Sequence, residues 1–252
     1  ERKFVVQNVM IGHVPTLQPI VAKFEKNKNI LDLDKIIEEN SSIVRKKEVT
    51  TESFDIDFEI ICEENDGTFP NHHPDPCVED NLQGLKEKVL ELGADVGISF
   101  DGDGDRVGFI TNSGVFVPTD KFMIIIIRDL INKVNKKEFL YDVKCSKAVQ
   151  DEIDKLGGKG LCYRTGNSYT KAKVRDEDLP FGGELSGHVY FRDRWPGFDS
   201  GMYAGLRLLE ILSNTDKNIE DLLEGISISD TVSSIVVIIL SISSFSEFSN
   251  ST

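Results

Sequence analysis

Residues 95 to 110 read DVGISFDGDGDRVGFI, with Asp101, Asp103 and Asp105 at alternate positions behind an apolar stretch. In an extended segment, side chains two apart point the same way, so the three carboxylates can converge on one cation. Gly102 and Gly104 keep the approach clear and permit unusual backbone angles. An all-carboxylate set selects a hard divalent ion, Mg²⁺ or Ca²⁺, over zinc or copper. Three other readings compete. An EF-hand wants Gly at the sixth position and Glu at the twelfth, where this sequence has Arg106 and Asn112. A phosphatase with an aspartyl nucleophile also places Asp-x-Asp after a strand, but follows it with Thr or Val where Asp105 stands. An acidic solvated turn suits Asp and Gly in general but fits three at strict alternation poorly.

The elements that must hold this loop are legible around it. In EDNLQGLKEKVLELG the apolar residues Leu82, Leu85, Val89 and Leu92 recur at helical spacing, with Gly93 as the stop. Val96, Ile98 and Phe100 alternate as a strand. After the aspartates, VGFI, the turn Asn112-Ser113-Gly114 and VFV predict a hairpin. A helix is expected from about Asp120 to Val134, capped by Thr119. Strand FLYDV, helix Lys147 to Leu156 and strand LCYRT repeat the logic, so the fold class is α/β. A boundary near Asn135 divides two units of similar size.

The chain as a whole is globular in composition, 39% hydrophobic and 29% charged. With Asp+Glu 43 against Lys+Arg 29, its net charge of −14 argues against nucleic acid as a partner. Cys62, Cys77, Cys145 and Cys162 show no metal-ligand spacing and no disulfide framework, which predicts reduced thiols in the cytoplasm. The N-terminus lacks the pattern of a signal peptide. The longest apolar runs, Met123 to Ile127 and Ile235 to Leu240, fall far short of the ~20 residues of a membrane helix, so no membrane association is expected.

FDGDGDR resembles the metal loop of the α-D-phosphohexomutases, the phosphomannomutase/phosphoglucomutase group. DGTFPNHHPDP at 66 to 76, GGELSGH at 182 to 188 and RWPGFDSGMYAGLRLLEIL at 194 to 212 agree with it, in the family's order. The resemblance spans about residues 60 to 213. It implies repeated α/β domains with mixed sheets around a central cleft, here with the flanking domains incomplete. The units would be 1–55, a remnant of the N-terminal domain; 56–135, the metal-binding domain; 136–222, the sugar-binding domain; and 223–252, a remnant of the C-terminal phosphate-binding domain.

By match to the family's motifs, Asp101, Asp103 and Asp105 would hold Mg²⁺, with a phosphate oxygen on a catalytic serine completing the set. Arg106 would face the phosphoryl group, where a guanidinium can pair two oxygens; a salt bridge to a loop aspartate is its alternative. Glu184 and Ser186 would bind sugar hydroxyls. His188 would bind phosphate or relay a proton near neutral pH, unless it is structural. RTGNSYTK resembles the family's TGHSxxK stretch, which puts Lys171 on its phosphate-binding lysine and Asn167 where a histidine is usual. An amide hydrogen bonds but cannot titrate. His72 and His73 are read as structural or hinge residues.

The activity implied is a hexose-phosphate mutase. It would act through a phosphoserine and a hexose 1,6-bisphosphate, as a monomer or homodimer, with Arg106, His188 and Lys171 as its catalytic side chains. GGELSGH resembles enzymes of mannose or glucose phosphates, and glucosamine phosphate stays open. No TASHNP-like serine loop and no RxSxTEP-like phosphate loop occurs in these 252 residues, and the strand and glycine-rich turn that should open the second domain are not found. The expectation is that the sequence is a subset of a longer chain. Taken literally, it would bind metal and sugar phosphate without transferring a phosphoryl group.

Overall fold

The computed structural model describes residues 3–7, 57–62 and 66–228. Two mixed sheets carry the structure. In the first, β1 (Lys3–Gln7) lies between β2 (Asp57–Ile61) and β3 (Val96–Phe100), parallel to both, and β4 (Val107–Thr111) and β5 (Phe116–Val117) follow antiparallel. The expectation that the opening strand of this unit is missing is thus corrected: it is found at residues 3 to 7, separated in sequence from its neighbour β2. In the second sheet β7 (Lys159–Tyr163), β6 (Glu138–Asp142) and β8 (Phe181–Gly183) run parallel, and β9 (Val189–Phe191) closes the edge antiparallel.

Helix α1 (Gln83–Leu92) covers the first sheet and ends at Gly93 as its spacing requires. It buries Leu82, Leu85 and Val89 with Ala94 and Ile110. Helix α2 (Thr119–Leu130) starts one residue earlier than expected, with Pro118 at the cap position and Thr119 inside the helix, and stops at Leu130 rather than Val134. Thr119 lends its hydroxyl to Cys77 instead, at 3.7 Å. Ile124, Ile125, Ile126 and Ile127 are all buried, so this turn of the helix is enclosed on every side, and solvent is reached only near its end, at the half-buried Arg128 and Asp129. Its Phe122 ring packs on Phe109 of β4 with centroids 4.7 Å apart. A division near Asn135 groups α2 with the first unit; in the structure it also packs on β8 and on α3 (Lys147–Lys155).

Helix α4 (Asn167–Asp176) lies over β6 and β8, with Val174 packed on Leu140, Leu179 and Tyr190. Helix α5 (Gly201–Ser213) and the short α6 (Ile219–Leu222) complete the order. One continuous core runs from β3 and β4 through α2 to β6, β8, β9 and α5. The charged start of α2 is buried in it: Lys121 and Asp120 lie 3.6 Å apart, fully buried, and both bond to Ser146 at the head of α3. Buried charges persist only when paired in this way. Among the described residues no helix is long and apolar enough to cross a membrane.

Candidate functional site

The aspartate loop joins β3 to β4 and is a tight turn, not an extended strand end. Its three carboxylates converge for that reason. Asp101 reaches back along the loop, its Oδ1 accepting from the backbone N–H of Gly104 at 3.0 Å and of Arg106 at 3.1 Å. Gly104 sits at φ +77°, a region closed to most side chains. One oxygen each of Asp101, Asp103 and Asp105 lies within 4.8 Å of the others. Asp101 is buried, Asp105 half-buried and Asp103 exposed. Burial pushes the Asp101 carboxyl up to about 6, the Asp105 charge adds to this, and hydrogen bonds from Arg106 oppose it. Asp105 is held low, chiefly by its bond to His188. Arg106 takes its structural alternative here, with Nε 2.6 Å from Asp101 Oδ2 and Nη1 3.3 Å from Asp75.

The second loop, 184 to 188, turns between β8 and β9. Glu184 donates its N–H to the carbonyl of His188 at 2.9 Å, and Gly187 donates to the carbonyl of Glu184 at 3.1 Å. Gly187 has φ +99°, and a Cβ there would lie 2.6 Å from Cys77 Sγ, so this position admits only glycine. The Glu184 carboxylate is 1% exposed and is used inside the fold. Its Oε1 accepts from Gly166 N–H at 2.8 Å and Thr170 Oγ1 at 2.5 Å, while Ser186 Oγ donates to Oε2 at 3.3 Å.

The two loops meet at His188. Its Nε2 is 3.5 Å from Asp105 Oδ2, and its Nδ1 is 3.1 Å from Ser186 Oγ and 3.7 Å from Glu184 Oε2. Burial disfavours the charged ring, but the bond to Asp105 and the charges of Asp105, Glu184 and Asp199 outweigh it and raise its pKa. A bridge pairs Arg106 with His188, and Val107 N–H reaches the Gly187 carbonyl at 3.4 Å.

Lys171 and Asn167 come from the first turns of α4. Lys171 Nζ lies 2.5 Å from Asp199 Oδ1, and the Asn167 amide donates to Asp199 Oδ2. The structure therefore gathers Asp101, Asp103, Asp105, Arg106, Glu184, Ser186 and His188 around the two loops, with Lys171 joined to them through Asp199. His72 and His73 stay apart in their own turn, where His72 Nδ1 is 2.9 Å from the carbonyl of His73.

Sequence reasoning missed two carboxylates. Asp199 shares a 4.8 Å group with Asp105 and His188. Asp142, fully buried, accepts from Leu185 N–H at 3.2 Å and Thr165 Oγ1 at 2.8 Å, and lies 3.7 Å from Lys144 Nζ. The signal for Asp142 was its place at the carboxyl end of a central parallel strand, where α/β sites collect. For Asp199 it was an acid just ahead of a serine-capped helix.

The donor set fits a hard cation: three carboxylate oxygens and no sulfur, with one carboxyl raised because it is buried beside another. A divalent ion held in this turn would remove that repulsion.

Residues 46–114 match the family description "Phosphoglucomutase/phosphomannomutase, alpha/beta/alpha domain II", and residues 118–227 match domain III of the same family. The phosphomannomutase/phosphoglucomutase of Pseudomonas putida is 45% identical over 159 residues, 63% of this chain and 34% of that protein. The phosphoglucomutase of Neisseria gonorrhoeae is 41% identical over 158 residues, again 63% of this chain and 34% of its own. A solved phosphoglucomutase/phosphomannomutase family protein from Burkholderia thailandensis is similar in structure, with a TM-score of 0.68 and 32% identity, covering 90% of this chain and 43% of its own. The chain spans about a third of the length of the curated relatives it matches.

Proposed function

Because the chain belongs to the phosphoglucomutase/phosphomannomutase family, we propose that it supplies the metal-binding and sugar-binding parts of a hexose-phosphate mutase. The proposed reaction moves a phosphoryl group between O1 and O6 of glucose or mannose through a phosphoserine and a 1,6-bisphosphate. The observation that carries the reading is the junction of the two loops, in which His188 of the GGELSGH segment lies 3.5 Å from Asp105 of the cation trio. A sugar hydroxyl bound by the second loop is thereby brought against the first.

In this reading Asp101, Asp103 and Asp105 hold Mg²⁺, which when bound supplies positive charge to the transferring phosphoryl group. Arg106 can turn from Asp101 to the phosphoryl oxygens, its guanidinium pairing two of them. His188, with its proton affinity raised by Asp105, exchanges a proton with the reacting hydroxyl near neutral pH. Ser186, beside it, meets a ring hydroxyl, and the buried Glu184, expected from the resemblance to bind sugar hydroxyls itself, acts instead by accepting from Ser186 Oγ and holding that side chain in place. Lys171 contributes its ammonium to a phosphate.

The test is conversion of glucose 1-phosphate to glucose 6-phosphate by the polypeptide that carries this chain. Activity is expected with Mg²⁺, is lost with EDTA, and falls at least ~100-fold in Asp103→Ala, since charge stabilisation dominates phosphoryl transfer. Activity that survives Asp103→Ala removes the cation assignment. Binding of the sugar phosphate without turnover reduces the protein to a sugar-phosphate binder.

A further inference from the structure

Helix α4 has no side-chain cap at its start, yet its first turn is tied at four points by two carboxylates. Glu184 holds Gly166 N–H and Thr170 Oγ1. Asp199 holds Asn167 and Lys171. Residues 166 and 170, and residues 167 and 171, are each four apart and so lie on neighbouring faces of the helix. Glu184 fixes where the helix begins. Asp199 fixes where two of its side chains point.

Asp199 is suited to that task because it is itself immobile. Its backbone bridges to Tyr190 in β9, the next residue, Ser200, caps α5 by accepting from Tyr203 N–H at 3.2 Å, and its side chain is 6% exposed. Lys171 is 39% exposed on a long flexible stem. A buried, fixed carboxylate therefore holds a mobile cation, and it does so within the same 4.8 Å group that contains Asp105 and His188. An ammonium has three donors. One spent on Asp199 leaves two for the oxygens of an incoming phosphate.

We propose that Asp199 is the positioning residue of this site, aiming the Lys171 ammonium and the Asn167 amide at the phosphate of the substrate. The inference rests on the hexose-phosphate reading above. It adds a residue and a division of labour: Lys171 and Asn167 touch the substrate, and Asp199 acts only through them. Its removal acts like the loss of Lys171, because a lysine free to sample its rotamers must be ordered again on binding.

The experiment is a calorimetric titration of the whole chain with glucose 1-phosphate in Mg²⁺, on the wild type, Asp199→Ala, Asp199→Asn, Lys171→Met and the double variant Asp199→Ala/Lys171→Met. Asp199→Ala and Lys171→Met are each expected to weaken binding about 10-fold, and the double variant to fall no more than about threefold below Lys171→Met, that remainder being the share Asp199 exerts through Asn167. Asp199→Asn, which still accepts from Asn167 but offers no charge to Lys171, falls between wild type and Asp199→Ala. A purely structural role does not produce this dependence on Lys171. Losses that multiply to about 100-fold in the double variant, or an Asp199→Ala chain that binds as well as wild type, overturn the positioning role. A wild-type chain with no affinity for glucose 1-phosphate overturns the hexose-phosphate reading instead. If Asp199→Ala loses its melting transition, the same comparison made with Asp199→Asn decides.

Discussion

Two thiols behind the site are packed so that their ionised forms are disfavoured. Burial pushes Cys77 up to about 11, with the Thr119 hydroxyl opposing it, and burial beside Asp142 raises Cys145 well above the ordinary thiol range. Both folded values lie above the unfolded ones. Their contribution to stability is therefore complete below about pH 8.5 and is lost as pH rises from there through the folded values. The melting temperature is expected to fall between pH 9 and pH 11, and Cys77→Ala to remove part of that fall, roughly 2 to 3 kcal/mol at full ionisation. A melting temperature independent of the substitution across this range contradicts the assignment. At this scale the sequence showed the residues that cluster locally and hid those that do not. Asp101, Asp103 and Asp105 are legible because their spacing is short, although a turn and not an extended strand brings them together. Asp199 and Asp142 are not, because the groups that tie them to the site, Asn167 for Asp199 and Thr165 and Leu185 for Asp142, lie 23 to 43 residues away.

Elements were read more completely than their ends. Apolar periodicity locates α1, α2 and α3, since it reports the face each helix buries. Caps depend on what else competes for a hydroxyl. Thr119 was expected to cap α2 and bonds Cys77, and Ser146, standing at the cap of α3, accepts from Lys121 instead. Strand β1 went unassigned because its pairing partners, β2 and β3, lie some fifty and ninety residues on, which no local pattern reveals. Where a cap is real, its loss is measurable. Ser200 accepts from Tyr203 N–H at the start of α5, and Ser200→Ala is expected to cost about 1 kcal/mol in denaturant unfolding. An unchanged midpoint shows that the contact contributes nothing to stability.

The site depends on how the two sheets are locked together, because its two loops belong to different sheets. Helix α5 makes the closest approach. Gly201 N–H donates to the Gly104 carbonyl at 3.0 Å, and a Cβ at Gly201 would stand 2.4 Å from the Arg106 carbonyl oxygen and 3.0 Å from that of Gly104. The obstacle is backbone and cannot rotate aside. Gly205, one turn along the same helix, has nothing nearer than 3.5 Å to its virtual Cβ. The two positions form a matched pair. Gly205→Ala gains helix propensity and is expected to leave stability unchanged or raise it by up to about 1 kcal/mol. Gly201→Ala must displace the aspartate loop or the helix, at a cost of roughly 1 to 3 kcal/mol. Mg²⁺ affinity, followed by calorimetry, is expected to fall about 10-fold in Gly201→Ala and to hold in Gly205→Ala, because ligand placement tolerates little displacement. Equal Mg²⁺ affinity in both variants means that the trio keeps its geometry without α5, and that the junction of the sheets serves stability alone.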